Sequence, residues 1–142
     1  MRERTFTQTT MWAITLFEGI TNVPVKDCIE FETRFVFIVP PGSLAKAIGK
    51  KGRNLARMRE TLKKRIQVIE WNDDVEQFIR RVFNEYKVQK VVFEERNGAK
   101  HVTVFVDPAK KASAIGKEGA NLRLSHQVIS SYFEDIKSIS IG

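Results

Sequence analysis

Two tetrapeptides hold the residues best suited to chemistry, Gly49-Lys50-Lys51-Gly52 and Gly116-Lys117-Glu118-Gly119. Two glycines around a dipeptide let the backbone approach a partner closely, because neither carries a Cβ. A helix starting just after such a turn aims its first N–H groups outward and favours an anion there. Lysines at the tip add charge with no preference among bases. The residues beside the turns are aliphatic: Ala45, Ile48 and Leu55 at the first, Ala112, Ile115 and Leu122 at the second. An apolar shelf next to a phosphate grip suits unpaired bases, which can lie on it while the loop holds their backbone. The expected chemistry is therefore non-covalent capture of a polyanion.

Covalent or metal chemistry finds no comparable support. A nucleotide-binding loop needs Gly-x-x-x-x-Gly-Lys-Ser/Thr; here six residues separate Gly42 from Gly49, and Lys50 is followed by Lys51. The single cysteine, Cys28, excludes an intrachain disulfide and a cysteine-based zinc site. It lies in an apolar-rich strand pattern and reads as a buried structural thiol. His101 and His126 stand 25 residues apart with no matching ligand cluster, and read as packing or surface residues. Asp73, Asp74 and Glu76 are helix-start acids, and Glu94-Glu95 a solvated edge. No catalytic residue, metal or cofactor is expected.

The two turns belong to a duplication. Val39 to Leu55 aligns without gaps on Val106 to Leu122 with ten identities in seventeen positions, where ordinary composition predicts roughly one. The interval of 67 residues in a chain of 142 implies two units, 1–71 and 72–142. Units of this size are near the lower limit for independent cores, and the short linker Trp71-Asn72-Asp73-Asp74 makes a fixed pair the expectation. No apolar run reaches the ~18 residues needed to span a membrane, and the N-terminus has no signal-peptide core, so a cytoplasmic protein is expected.

Net charge is +7. Between residues 42 and 65 lie nine cations (Lys46, Lys50, Lys51, Arg53, Arg57, Arg59, Lys63, Lys64, Arg65) and one acid, Glu60, so that window alone carries 9 − 1 = +8. A solvated helix face usually mixes signs; this one does not, which favours a polyanionic partner. The second turn is weaker, because Glu118 stands where the first has Lys51 and Ala120 where it has Arg53. Residues 108–124 carry 4 − 1 = +3.

The elements that must position the turns follow from periodicity. Thr5, Phe6, Thr7 and Gln8 could add an edge strand or fray. Ala13, Leu16, Phe17 and Ile20 predict a helix over 10–20, capped by Thr9 or Thr10 and ended by Thr21-Asn22 and Pro24. Trp12 on this helix is assigned to core or inter-unit packing. Val25 to Val39 reads as two strands. Pro41 suits the first position of a short helix, 42–48, and Gly49 its positive-φ terminus. Asn54 is placed as the cap of the next helix, with Leu55, Met58 and Leu62 on its apolar face. Ile66 to Ile69 forms a strand. In the second unit, Asp73 with Glu76 resembles a capping box ahead of a helix with Val75, Phe78, Ile79, Val82 and Phe83 on one face. Strands Val88 to Arg96 and His101 to Val106 flank a hairpin turn at Asn97-Gly98. Asp107-Pro108 then starts a short helix, followed by the second glycine turn, a helix carrying Leu122, Ile129 and Phe133, and a strand from Ile136 to Ile141.

Each unit thus reads α-β-β-α-(Gly-x-x-Gly)-α-β. That order, with Ala-Ile-Gly-Lys-x-Gly-x-Asn-Leu at its centre, resembles the type II K-homology (KH) domain. The fold class expected is α+β, with two tandem type II KH domains. Leu16-Phe17-Glu18-Gly19-Ile20-Thr21, Val25-Lys26-Asp27-Cys28 and Val68-Ile69-Glu70-Trp71 extend the resemblance, over about residues 10–142, to the archaeal NusA-like transcription factors. The resemblance implies binding of single-stranded RNA, a nascent transcript or ribosomal RNA, in transcription pausing, termination or antitermination. It also brings RNA polymerase or other transcription factors into view as partners.

The residues expected to contact RNA are Lys46, Ile48, Gly49, Lys50, Lys51, Gly52, Arg53, Asn54 and Arg57 in the first unit. In the second they are Ile115, Gly116, Lys117, Gly119, Asn121 and Arg123. The first unit is expected to supply most of the affinity, so Gly49→Asp should weaken binding more than Gly116→Asp. Two other readings stand beside this one. One is a ribosome-associated or ribosome-assembly KH protein. The other is a helix-turn-helix DNA-binding protein, against which the strands bracketing the helix pair argue.

Overall fold

The structure, a computed structural model, describes residues 7–142. Thr5 and Phe6 lie outside the described residues. The chain divides into two compact units, and the division falls between Asn72 and Asp73. Each unit is a three-stranded mixed sheet with three helices.

In the first unit the helix expected at 10–20 spans Gln8–Thr21 (α1). Its cap is Thr7, whose hydroxyl accepts from the Thr10 N–H at 3.1 Å, so neither Thr9 nor Thr10 holds that position. The Thr10 hydroxyl instead donates back to the Thr7 carbonyl. Asn22 ends α1 in the left-handed region at φ 57°, a conformation that asparagine tolerates. The strands are β1 (Asp27–Glu30) and β2 (Arg34–Val39), paired antiparallel, with β3 (Arg65–Glu70) parallel to β2. Phe31-Glu32-Thr33 forms the hairpin turn, closed by the Phe31 N–H to the Arg34 carbonyl at 2.8 Å.

The core gathers Ala13 and Phe17 of α1, Cys28 of β1, Phe35, Phe37 and Val39 of β2, and Met58 and Leu62. Phe17 stacks on Phe37 with ring centroids 4.4 Å apart. Cys28 is fully buried and forms no disulfide, as its strand pattern predicts. Trp12 does not join this core. It is 51% exposed beside Met11, because α1 turns Ala13 and Phe17 inward and carries position 12 to the opposite side.

The second unit repeats the plan with α4 (Val75–Val82), β4 (Val88–Arg96), β5 (Ala99–Val106) and β6 (Ile136–Ile141). β4 pairs antiparallel with β5, and β6 runs parallel to β5. Asp74, not Asp73, caps α4 by accepting from the Gln77 N–H at 3.0 Å, so the expected capping pair slides by one residue. That register lets α4 bury Phe78, Ile79 and Val82. Asn97 and Gly98 both take positive φ, 53° and 78°, as a tight two-residue hairpin requires. Phe133 lies beyond the end of the last helix and packs at 5.8 Å from Phe78.

Candidate nucleic-acid interface

Each glycine turn joins a short helix to a longer one. In the first unit these are α2 (Leu44–Ile48) and α3 (Arg53–Leu62); in the second, α5 (Lys111–Ile115) and α6 (Ala120–Ser130). Pro41 is not the first residue of α2. It occupies the second position of a Pro40–Ser43 turn, with Gly42 at φ 82° in the third and the Ser43 N–H bonded to the Pro40 carbonyl at 3.2 Å. Proline followed by a positive-φ glycine is the signature of a type II turn, so two prolines and a glycine stop β2 before the helix begins. The Leu44 N–H then meets the Glu70 carboxylate at 3.3 Å, tying α2 to β3. The second unit starts α5 through a single turn, Pro108–Lys110, capped by Asp107 onto the Ala109 N–H at 3.0 Å.

The two turns have nearly the same backbone. Gly49 and Gly116 sit at φ 79°, ψ 168° and φ 80°, ψ 166°, a region that essentially only glycine occupies. Lys51 and Glu118 are left-handed at φ 54°, ψ 31° and φ 56°, ψ 28°. Gly52 and Gly119 follow at φ 73° and 75°. The Gly52 N–H bonds to the Gly49 carbonyl at 3.1 Å, and the Gly119 N–H to the Gly116 carbonyl at 3.0 Å. Side-chain identity at the tip therefore changes charge and leaves conformation alone.

Asn54 and Asn121 do not cap the helices they begin. Glycine holds both cap positions, with no side-chain capping bond. The Asn54 amide donates to the Lys46 carbonyl at 3.1 Å and the Asn121 amide to the Ala114 carbonyl at 2.7 Å, each closing the corner onto the preceding helix. A Cβ on Gly49 would stand 2.7 Å from the Asn54 side chain, and one on Gly116 would stand 2.7 Å from the Asn121 backbone nitrogen. Glycine and asparagine are thus one device that folds the corner tightly.

The electrostatics divide the units. Lys46, Lys50, Lys51, Arg53, Arg57 and Arg59 are all exposed, and none enters an ion pair with a described residue. Lys64 differs: it pairs with Glu30 at 2.9 Å, donates to the Phe31 carbonyl and lies over the Phe35 ring. Ala45 is exposed while Ile48 and Leu55 are half-buried, which leaves an apolar strip beside the cations. Arg59, absent from the residues expected to contact RNA, belongs with this group; its place in the unbroken run of cations was the available signal. In the second unit Lys117 is exposed, but Arg123 folds back and donates to the Glu118 carbonyl. Ile115 is half-buried, as Ile48 is in the first unit.

His101 bonds to the Ser138 hydroxyl at 2.7 Å, and His126 lies 3.4 Å from the Ile136 carbonyl. Among the described residues no group of three or more His, Cys, Asp or Glu side chains could hold a metal ion, and no helix is long and apolar enough to cross a membrane.

An α-β-β-α-α-β unit bent at a Gly-x-x-Gly corner, present twice, defines a tandem type II KH protein. Residues 75–141 match the family described as the NusA-like second KH domain. The probable transcription termination protein NusA of Thermoplasma acidophilum is 31% identical over 141 residues, covering 99% of this chain and 97% of that protein. Its counterpart in Methanocaldococcus jannaschii is 35% identical over 118 residues, covering 82% of this chain and 63% of that one. The crystal structure of APE1850 superposes with a TM-score of 0.76 at 34% identity, covering 96% of this chain and 100% of that chain. The chain belongs to the NusA family.

Proposed function

We propose that the protein is a cytoplasmic, single-stranded RNA-binding factor of transcription termination, antitermination or pausing, working beside RNA polymerase or other transcription factors. Residues 1–71 and 72–142 act as its two KH domains, and each grips the RNA backbone at its Gly-x-x-Gly corner. The observation that carries this reading is a pair of glycine corners with matching backbones, the first surrounded by six exposed cations that pair with no carboxylate among the described residues. Cations not spent on protein carboxylates are available to a phosphate backbone, which releases its counterions to them. The half-buried aliphatic residues beside them offer bases an apolar face. The first corner supplies most of the affinity; the second, holding Glu118 and an Arg123 engaged with its own loop, supplies register.

A fluorescence-anisotropy titration tests this with a single-stranded RNA and a duplex DNA of equal length at one salt concentration. RNA is expected to bind more tightly, and Gly52→Asp to remove most of that binding. Gly52 is the better probe than Gly49, since a Cβ there meets nothing within 4 Å and aspartate is among the few residues that visit its left-handed backbone at φ 73°; circular dichroism checks that the strained variant stays folded. Equal affinity for the two nucleic acids, or full binding by the Gly52→Asp protein, would sink the reading.

A further inference from the structure

Positive charge is distributed differently in the two units. In the first, α1 carries no Lys or Arg, and the cations crowd α3 and its turn. In the second, α6 retains only Arg123, while α4 and the segment after it hold Arg80, Arg81 and Lys87. These three side chains line a pocket of about 360 Å³ together with Gln77, Asn84 and Val88. No carboxylate lines it, and every polar side chain in the wall offers N–H donors. Glu76 bonds to Arg80 through Nε at 3.2 Å, a bond that does not use the terminal guanidinium nitrogens. Glu85, on the same turn, is exposed and outside the lining, and both Glu85 and Arg81 make other interactions within the protein, so Arg80 and Lys87 carry the argument.

The bland account is that cations gather at the C-terminal end of α4 because its carbonyl ends favour them. That accounts for Arg80 and Arg81. It does not account for two primary amides and Lys87 converging on the same cavity, with Lys87 held left-handed at φ 55°. The pocket is also joined to the second glycine corner. The Lys87 carbonyl accepts from the Asp107 N–H at 3.1 Å, and Asp107 caps the turn that starts α5. The turn Asn84–Tyr86 packs against α5 itself. Exposed Lys110 and Lys111 stand along this connection, and Lys117 opens the loop at its far end.

We infer that the pocket formed by Gln77, Arg80, Arg81, Asn84 and Lys87 binds a phosphate group, and that the phosphate belongs to an RNA strand running on from the second glycine corner. This rests on the RNA-binding reading above and deepens it. The second unit, weak at its loop, regains a hold on the RNA backbone at a site the Gly-x-x-Gly motif does not include.

Two measurements on the full chain test it. The first follows the amide resonances of Asn84 and Lys87 while inorganic phosphate replaces chloride at constant ionic strength. Saturable shifts are expected, and their loss in Arg80→Gln/Lys87→Gln, whose fold is checked by near-ultraviolet circular dichroism. The second compares that variant with the parent on a short RNA that fills one corner and on a longer one. For the long RNA alone, affinity should fall about tenfold, and the slope of log K against log salt should shrink by about 0.7, the value for one single-strand phosphate contact. Absence of shifts with unchanged long-RNA binding overturns the site. Shifts with unchanged long-RNA binding show a site for free phosphate and overturn the RNA path. Protection of the pocket by an acidic peptide, but not by RNA, would do the same. If the parent protein binds no RNA of either length while phosphate still shifts the pocket, the RNA-binding reading fails and the RNA path fails with it, but the phosphate site stands.

Discussion

Lys51 and Glu118 hold the same left-handed backbone within 3° in φ and ψ, at 54°, 31° and 56°, 28°. Exchanging them changes charge without a conformational cost. Lys51→Glu should weaken RNA binding about tenfold and Glu118→Lys should strengthen it, from the free energy of one charge-assisted hydrogen bond to phosphate. Thermal or urea unfolding should move by less than about 0.5 kcal/mol for either; a large stability change would mean that the tip residue supports the fold. The glycines obey a different logic. Gly49→Ala and Gly116→Ala each leave a glycine-only region, at about 1–3 kcal/mol. Gly116→Ala should cost more, because its Cβ meets the Asn121 backbone nitrogen at 2.7 Å, whereas at Gly49 the backbone nitrogen of Asn54 is 3.1 Å away and the nearer atoms belong to the Asn54 side chain, which can shift at the cost of its bond to the Lys46 carbonyl. Urea midpoints give the order. Comparing Gly49→Asp with Gly116→Asp in a binding assay therefore mixes loss of grip with loss of fold, a mixture that charge counting alone did not anticipate.

At the scale of elements, caps and one ion pair give separate tests. Thr7→Ala should destabilise the first unit by about 1 kcal/mol, the usual worth of a helix cap. Thr9→Ala should be nearly silent, since Thr9 is exposed and is not the cap. Denaturant titration of both variants separates the two positions. In the second unit Lys100 and Asp135 join the start of β5 to the approach to β6 through a 3.0 Å ion pair. The hydrogen bond to Lys100 pulls the Asp135 carboxyl below its ordinary value, and the same bond raises Lys100 above its own. A depressed carboxyl contributes stability above its unfolded pKa and loses it as pH falls through the folded value. A raised lysine contributes below its unfolded pKa and loses it as pH rises through the folded value. The pair should thus be present between roughly pH 4 and pH 10. Both groups are solvent-exposed, so the effect is small and screened by salt. NMR titration of Asp135 should show its pKa return to the ordinary range in Lys100→Gln.

At the scale of the whole molecule, the charge of +7 is less informative than where it lies. Six exposed cations around the first corner predict a steep salt dependence, with a slope near −3 to −3.5 if four or five contact phosphate. Cys28, fully buried in the core of the first unit, should react with a thiol reagent only as fast as that unit opens. Its modification rate is therefore a local probe of first-unit stability. Bound RNA should slow it if the first corner carries the binding.

Much of this was legible in the amino-acid order. Element order follows from periodicity, since an apolar stripe at helical spacing or an alternating strand has few ways to bury itself. The duplication and the paired glycines marked both corners, because φ near 80° at Gly49 and Gly116 has no other residue to supply it. Composition also separated a strongly basic corner from a weakly basic one. Tertiary structure decided what depends on partners distant in sequence or on one-residue choices of register. Asn54 looks like a helix cap until the preceding helix folds back and presents a carbonyl. Pro41 looks like a helix start until Gly42 takes a positive φ beside it. Lys64 counts as a free cation until Glu30, 34 residues away, comes within 2.9 Å. The donor-lined pocket of the second unit exists because the fold brings the end of α4 and the start of β4 together. Local sequence dictates which conformations are possible; only packing determines which polar groups find each other and which remain for a ligand.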